Sequence, residues 1–258
     1  MRVTIIGAEG FVGSAFVRQL KSRGDIELVC VTRSNYDQFD GKHSDVVIEA
    51  ACNSKKFLAD ENPLAEFEAS VTHRLKTLLQ FPAALHVHIS SVDVYSDLTS
   101  PETTREEFSL IDLQQTSRYG VHKMLAEQLV EHYAQRWVIL RLAGMVGPGL
   151  RKNPVFDIVN GRPLRVHPDS RYQYMNTEDV ARIGWGLVEK GIVGEIFNVC
   201  GAGLISMREI AKLAGKEMDL SALPKDAAPR IVEADNSKLG RLFELPKTTE
   251  TVRRFLQK

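Results

Sequence analysis

No apolar run in these 258 residues approaches the twenty or so needed to cross a bilayer, so no membrane span is expected. Net charge is missing too. The 33 basic and 33 acidic residues cancel, and no long block of one sign occurs. That removes the electrostatic basis for general nucleic-acid or acidic-membrane binding. Cysteine is scarce: Cys30, Cys52 and Cys200 are odd in number, lie in apolar segments and lack metal-ligand spacing. They are expected to be reduced, buried thiols of a cytoplasmic protein, with no metal site. Internal repeats and low-complexity tracts are absent, and a strand begins at the first residues, which argues against a signal peptide. An apolar content of 43% with 26% charged residues is that of a globular chain able to bury a large core.

What is present alternates. Val3–Ile6, Glu27–Val31, Val46–Ala50, His86–Ser90 and Val138–Leu142 read as strands, and Ser14–Arg23, Pro63–Gln80 and Ser117–Gln135 carry helical periodicity. A helix over Thr177–Glu189 and a strand over Glu195–Val199 extend the pattern. Right-handed crossovers then give an α/β fold, a Rossmann-like doubly wound parallel sheet covered on both faces. Residues 1–148 plus 174–199 are assigned to this domain. The irregular, proline-containing stretch 149–173 and the short helices expected over 200–258 are assigned to a small C-terminal lobe for substrate.

The glycines at the first turn indicate a ligand. Gly7, Gly10, Phe11, Val12 and Gly13 follow the strand Val3–Ile6 and open a helix. In such a loop the first glycine permits the tight turn, and the second lets backbone N–H groups approach a pyrophosphate. The third lets the helix pack on the strand with its positive dipole end toward the phosphates. Further on, Tyr119 and Lys123 share one face at the start of a helix. A nearby ammonium group and an oxidised nicotinamide favour the phenolate, so the pair can move a proton to or from a substrate oxygen as hydride moves. Ser91 ends the strand upstream, on the side of a parallel sheet that faces the ligand crevice, where its hydroxyl can hold the reacting oxygen.

These segments, with Asp45–Ala51, Val94-Tyr95, Glu127, Leu140-Arg141, Gly147-Pro148-Gly149 and Thr177–Ala181, resemble the extended short-chain dehydrogenase/reductases of the NAD-dependent epimerase/dehydratase family. The resemblance implies catalysis by Ser91, Tyr119 and Lys123, with Lys123 on the nicotinamide ribose. It places Ala50 and Ala51 where the middle of the cofactor passes. It also implies a homodimer through the helices Pro63–Gln80 and Tyr119–Gln135. The chain departs from that family at Ser70-Val71-Thr72-His73-Arg74 and at Leu142-Ala143-Gly144, and its substrate lobe is short.

No acidic residue follows the second strand, where one would bind the adenosine 2′-hydroxyl and repel a 2′-phosphate. Arg33 and Ser34 stand there and can bind that phosphate, which favours NADP(H) over NAD(H). A single carboxylate, Asp93, follows Ser91, so dehydration is disfavoured; Asp93 equally suits a turn-stabilising role. The preferred reading is reduction of a keto-sugar, nucleotide-linked or free, or of a similar carbonyl compound. The alternatives are a nucleotide-sugar epimerase with tightly bound NAD and a non-catalytic dinucleotide sensor. His86 and His88 are assigned to packing, Trp137 and Trp185 to the core or a lobe boundary, and His122 to the outer face of its helix.

Overall fold

A computed structural model describes residues 1–107 and 111–257. The strands are β1 (Arg2–Ile6), β2 (Glu27–Val31), β3 (Ser44–Glu49), β4 (Ala83–Ser91), β5 (Trp137–Leu142) and β6 (Gly144–Val146), then β7 (Arg171–Tyr172), β8 (Tyr174–Asn176), β9 (Glu195–Val199), β10 (Ile205–Ser206) and β11 (Ile231–Val232). The helices are α1 (Gly13–Leu20), α2 (Leu58–Glu61), α3 (Pro63–Phe67), α4 (His73–Gln80) and α5 (Arg118–Tyr133), then α6 (Pro154–Val159), α7 (Thr177–Glu189), α8 (Met207–Ala214), α9 (Ser237–Gly240) and α10 (Thr248–Leu256).

The chain divides into two compact units. One comprises Met1–Ser96, Leu110–Leu142 and Glu178–Phe197; the other comprises Asp97–Ser109, Ala143–Thr177 and Asn198–Lys258. The central parallel sheet has strand order β2-β1-β3-β4-β5-β9. Helices cover both faces, so the strands are buried and largely apolar; Val3, Ile5, Val31, Val47, Ile48 and Ile139 are buried. The chain begins at β1, moves to β2 on one side, and returns to β3 on the other. That reversal puts the topological switch point between β1 and β3, where the carboxyl ends of strands in such sheets form a ligand crevice.

One face of the sheet carries a polar seam. His86, His88 and Ser90 alternate along β4 and so point the same way. In register, His88 lies beside Glu49 of β3 and Ser90 beside Arg141 of β5. Helices supply the counter-charges. Arg74 of α4 pairs with Glu49 at 3.0 Å, both 2% exposed, and Glu127 of α5 pairs with Arg141 at 2.6 Å. Burial pushes the His86 imidazole down to about 4 and the His88 imidazole well below its ordinary value, so both are neutral packing groups near neutral pH.

Three expectations need correction. Pro63–Gln80 is not one regular helix: α3 and α4 are joined by a π-helical stretch, Glu68–Thr72. The wider turn has buried Glu66 and Ser70 on the inside, where Ser70 Oγ donates to Glu66 Oε1. Of the thiols, only Cys200 is buried; Cys30 and Cys52 are half-buried, and all three are free. Residues 200–258 contain the short strands β10 and β11 as well as helices. In that second unit, β10-β7-β11 and β6-β8 form small sheets, and Val146, Val155, Ile158, Tyr174, Ile205 and Ile210 belong to its core.

Candidate dinucleotide and acid–base site

The turn after β1 is built on close backbone approach. Gly7 has φ +80°, and a Cβ there would lie 2.7 Å from the Ala51 amide nitrogen. A Cβ on Gly13 would lie 2.1 Å from the Gly7 carbonyl oxygen, so α1 starts against the turn itself. The Gly10 N–H donates to Gly7 O at 2.8 Å, and Ser14 N–H donates to Gly10 O. Among the described residues, no protein acceptor takes the Phe11 or Val12 N–H. Donors left open at a helix start are the requirement for a pyrophosphate. Ala50 N–H donates to Ile6 O and Ala51 N–H to Glu49 Oε1 at 3.0 Å, which fixes the end of β3 beside the glycine loop. Arg74, by pairing with Glu49, supports that arrangement from the helix side.

Arg33 and Ser34 are exposed on the turn after β2. Asn35 holds this turn: its Oδ1 accepts from Thr32 N–H at 2.7 Å and its Nδ2 donates to Cys30 O at 3.0 Å. The shape of the turn is therefore independent of Arg33, which has no ion-pair partner among the described residues.

The second constellation lies at the end of β4. Ser91 Oγ donates to Asp93 Oδ2 at 2.8 Å, and Asp93 N–H donates back to Ser91 Oγ at 3.2 Å. Lys56 Nζ reaches the Asp93 carboxylate at 2.5 Å. Helix α5 starts against this turn, capped by Ser117, whose Oγ accepts from Gly120 N–H at 3.1 Å. A Cβ on Gly120 would lie 2.0 Å from Asp93 O, so only glycine lets α5 come so close. Helix α5 thus begins, at Tyr119 and Gly120, against the turn that follows Ser91.

Tyr119 is 7% exposed, and its hydroxyl donates to Asn53 O at 3.3 Å. Lys123 is 1% exposed with Nζ 5.3 Å from the centre of the Tyr119 ring. Among the described residues, it has no carboxylate at ion-pair distance. A buried ammonium without a counter-ion is costly unless a ligand or solvent satisfies it. Burial, and then the nearby Cys52, Asp93 and Glu66, push the Tyr119 phenol well above its ordinary value. In the protein alone the phenol is therefore held protonated, whereas the expected phenolate belongs to the complex with an oxidised nicotinamide.

His122 also departs from expectation. It faces inward across α3: its Nδ1 contacts Glu66 Oε2, and the Phe67 ring stands edge-on at 5.3 Å. Sequence reading missed Asn53, Lys56, Glu66 and the close approach at Gly120. Only Gly120 leaves a signal, since a glycine in the first turns of a helix costs up to about 1 kcal/mol relative to alanine without a packing reason.

Comparison with known proteins identifies the family and the fold. The model of the NAD dependent epimerase/dehydratase family matches residues 3–200. The chain belongs to that family. Among curated relatives, GDP-L-fucose synthase of Escherichia coli is 28% identical over 153 residues, covering 53% of this chain and 47% of that protein. The chain thus matches about half the length of that relative. A dTDP-4-dehydrorhamnose reductase from Clostridium acetobutylicum superposes with a TM-score of 0.81 at 20% identity, over 100% of this chain and 99% of that one. A UDP-glucuronic acid 4-epimerase from Bacillus cereus, solved with NAD, gives 0.80 at 18% identity over 100% and 98%. A dTDP-4-dehydrorhamnose reductase from Bacillus anthracis, solved with NADP, gives 0.81 at 17% over 99% and 97%. These likenesses establish the fold, and the family is one of NAD(P)-dependent enzymes.

Proposed function

We propose that this protein reduces a keto-sugar, nucleotide-linked or free, or a similar carbonyl compound, with Tyr119 giving the proton to the carbonyl oxygen. What supports this reading is geometry: the buried Tyr119 hydroxyl donates to a carbonyl oxygen, that of Asn53, with Lys123 Nζ 5.3 Å from the centre of its ring. A hydroxyl poised to donate to a carbonyl suits proton donation, and Lys123 stabilises the phenolate left behind. Phe11 and Val12 N–H groups, in the cradle closed by Gly7, Gly10 and Gly13, would hold the pyrophosphate. Ala50 and Ala51 would flank the middle of the dinucleotide, and Lys123 would hold the nicotinamide ribose. A bound reduced nicotinamide supplies the hydride. Ser91, once its proton is released from Asp93, orients the carbonyl oxygen toward Tyr119. Relatives solved with UDP-sugars or named for dTDP-sugars support a sugar nucleotide as the substrate class.

Arg33 and Ser34 are proposed to hold a 2′-phosphate. The test is to identify the nucleotide released on denaturation and to titrate the protein with NADPH and NADH. The expected result is an empty protein that binds NADPH more tightly. Arg33→Ala should remove most of that preference, about tenfold for a charge-assisted contact of about 1.5 kcal/mol or more. Stoichiometric NAD surviving dialysis would favour an epimerase that recycles its cofactor, and an unchanged preference in Arg33→Ala would discard the phosphate role.

The same proposal includes a homodimer through α3, α4 and α5, on which Leu64, Leu79, Leu125 and Tyr133 are exposed. Light scattering should give twice the 28.9 kDa chain mass, and the monomer mass at micromolar concentration would rule the dimer out.

A further inference from the structure

The hydroxyls of Ser91 and Tyr119 both have partners within the chain. Tyr119 donates to the backbone carbonyl of Asn53, the same kind of acceptor as a ketone oxygen. Ser91 donates to Asp93, and Lys56, three residues after Asn53, is paired with that carboxylate. Asn53 and Lys56 lie in one segment without helix or strand between β3 and α2. The Asn53 side chain closes a local turn there: its Oδ1 accepts from Lys55 N–H and its Nδ2 donates to Lys55 O, each at 2.9 Å.

We propose that Asn53–Lys56 is an autoinhibitory latch in which the Asn53 carbonyl occupies the place of a substrate carbonyl on Tyr119, while Lys56 keeps Ser91 turned toward Asp93. This rests on the acid–base reading of Tyr119 given above. Substrate enters by exchange: its oxygen replaces Asn53 O on the phenol, and Ser91 turns from Asp93 to the same oxygen. The latch is weak by construction. The Lys56 side chain is 63% exposed, where an ion pair contributes little, and the Tyr119–Asn53 bond is long at 3.3 Å. A weak internal acceptor keeps the phenol satisfied and buried without competing strongly with a ligand. It also selects for substrates presenting an acceptor oxygen, because a donor alone cannot replace a carbonyl on the tyrosine hydroxyl.

Cys52 adjoins Asn53 and is half-buried, so its thiol reports on the latch. Cys30, half-buried on β2 of the same unit, and Cys200, buried in the other unit, report unfolding of their respective units. The experiment is maleimide labelling of the protein without ligand, with each cysteine followed by mass spectrometry. Lys56→Gln and Tyr119→Phe each release one end of the latch. Each should speed Cys52 labelling by about two- to fivefold, as expected for losing up to about 1 kcal/mol, and leave Cys30 and Cys200 unchanged. The double variant should be faster than either. Equal Cys52 rates in all four proteins would overturn the latch, as would acceleration matched at Cys30 or Cys200. The measurement needs no turnover. Full activity in Tyr119→Phe would therefore refute the acid–base reading separately, whatever the labelling shows.

Discussion

Tyr119→Phe is expected to lower turnover by about 10²–10⁴-fold, the usual contribution of a positioned proton donor, or about 3–5 kcal/mol of barrier. The ring stays packed, so the affinity for the dinucleotide should hardly change. The substitution removes only the hydroxyl, with its 3.3 Å bond to Asn53 O. The measurement is NADPH oxidation with a panel of nucleotide-linked 4-keto-sugars, compared with dinucleotide titration of the same variant. A Tyr119→Phe protein that turns over at the parental rate would sink the mechanism. Because burial, Cys52, Asp93 and Glu66 all hold the phenol protonated, its donor form persists from neutral pH well into the alkaline range. Any loss of reduction on mild alkalisation should therefore come from a group other than Tyr119.

Glu127→Ala should destabilise the protein by about 3–5 kcal/mol, because it strands a charge in the core. Glu127 is fully buried and accepts from Arg141 through Nε and Nη2, the latter at 2.6 Å, and from Ser90 Oγ. Arg141 continues to the Tyr95 hydroxyl at 2.9 Å. Burial opposes the guanidinium charge, and Glu127 with Tyr95 more than offsets it, so Arg141 stays charged. Removing the carboxylate alone leaves that cation uncompensated. Replacing both partners, as Glu127→Leu with Arg141→Met, should recover most of the loss, since no buried charge remains. Chemical denaturation of the three proteins decides it. A single-variant loss below about 1 kcal/mol would mean that water reaches the pair.

Much of the sheet is legible in the sequence because its strands are local and apolar. Val3–Ile6 and Glu27–Val31 read almost as they fold, and the glycine loop is contiguous. Where function depends on distant partners, the sequence is silent. His122 looks like a surface residue until Glu66, far upstream, is placed against it. Glu49 and Arg74 look like solvated charges, yet they neutralise each other inside the fold. The π-helical turn at Glu68–Thr72 interrupts a stretch whose apolar spacing suits a single helix, and nothing local marks it. The short strands β6–β8, β10 and β11 have two or three residues each, too few for an alternating pattern. Asn53 contributes only a backbone oxygen to Tyr119, which any residue could supply.

The position of β9 at the edge of the sheet also bears on how the chain is made. β1 to β5 are complete by Leu142, but β9, which covers β5, comes only at Glu195–Val199. At synthesis rates of about 5–20 residues per second, the β5 edge waits several seconds on the ribosome without its neighbour. During that interval the nascent sheet carries an open apolar edge, the type most prone to pair with another chain. The burden of avoiding aggregation therefore falls on the segment between β5 and β9, whose translation sets how long that edge stays bare.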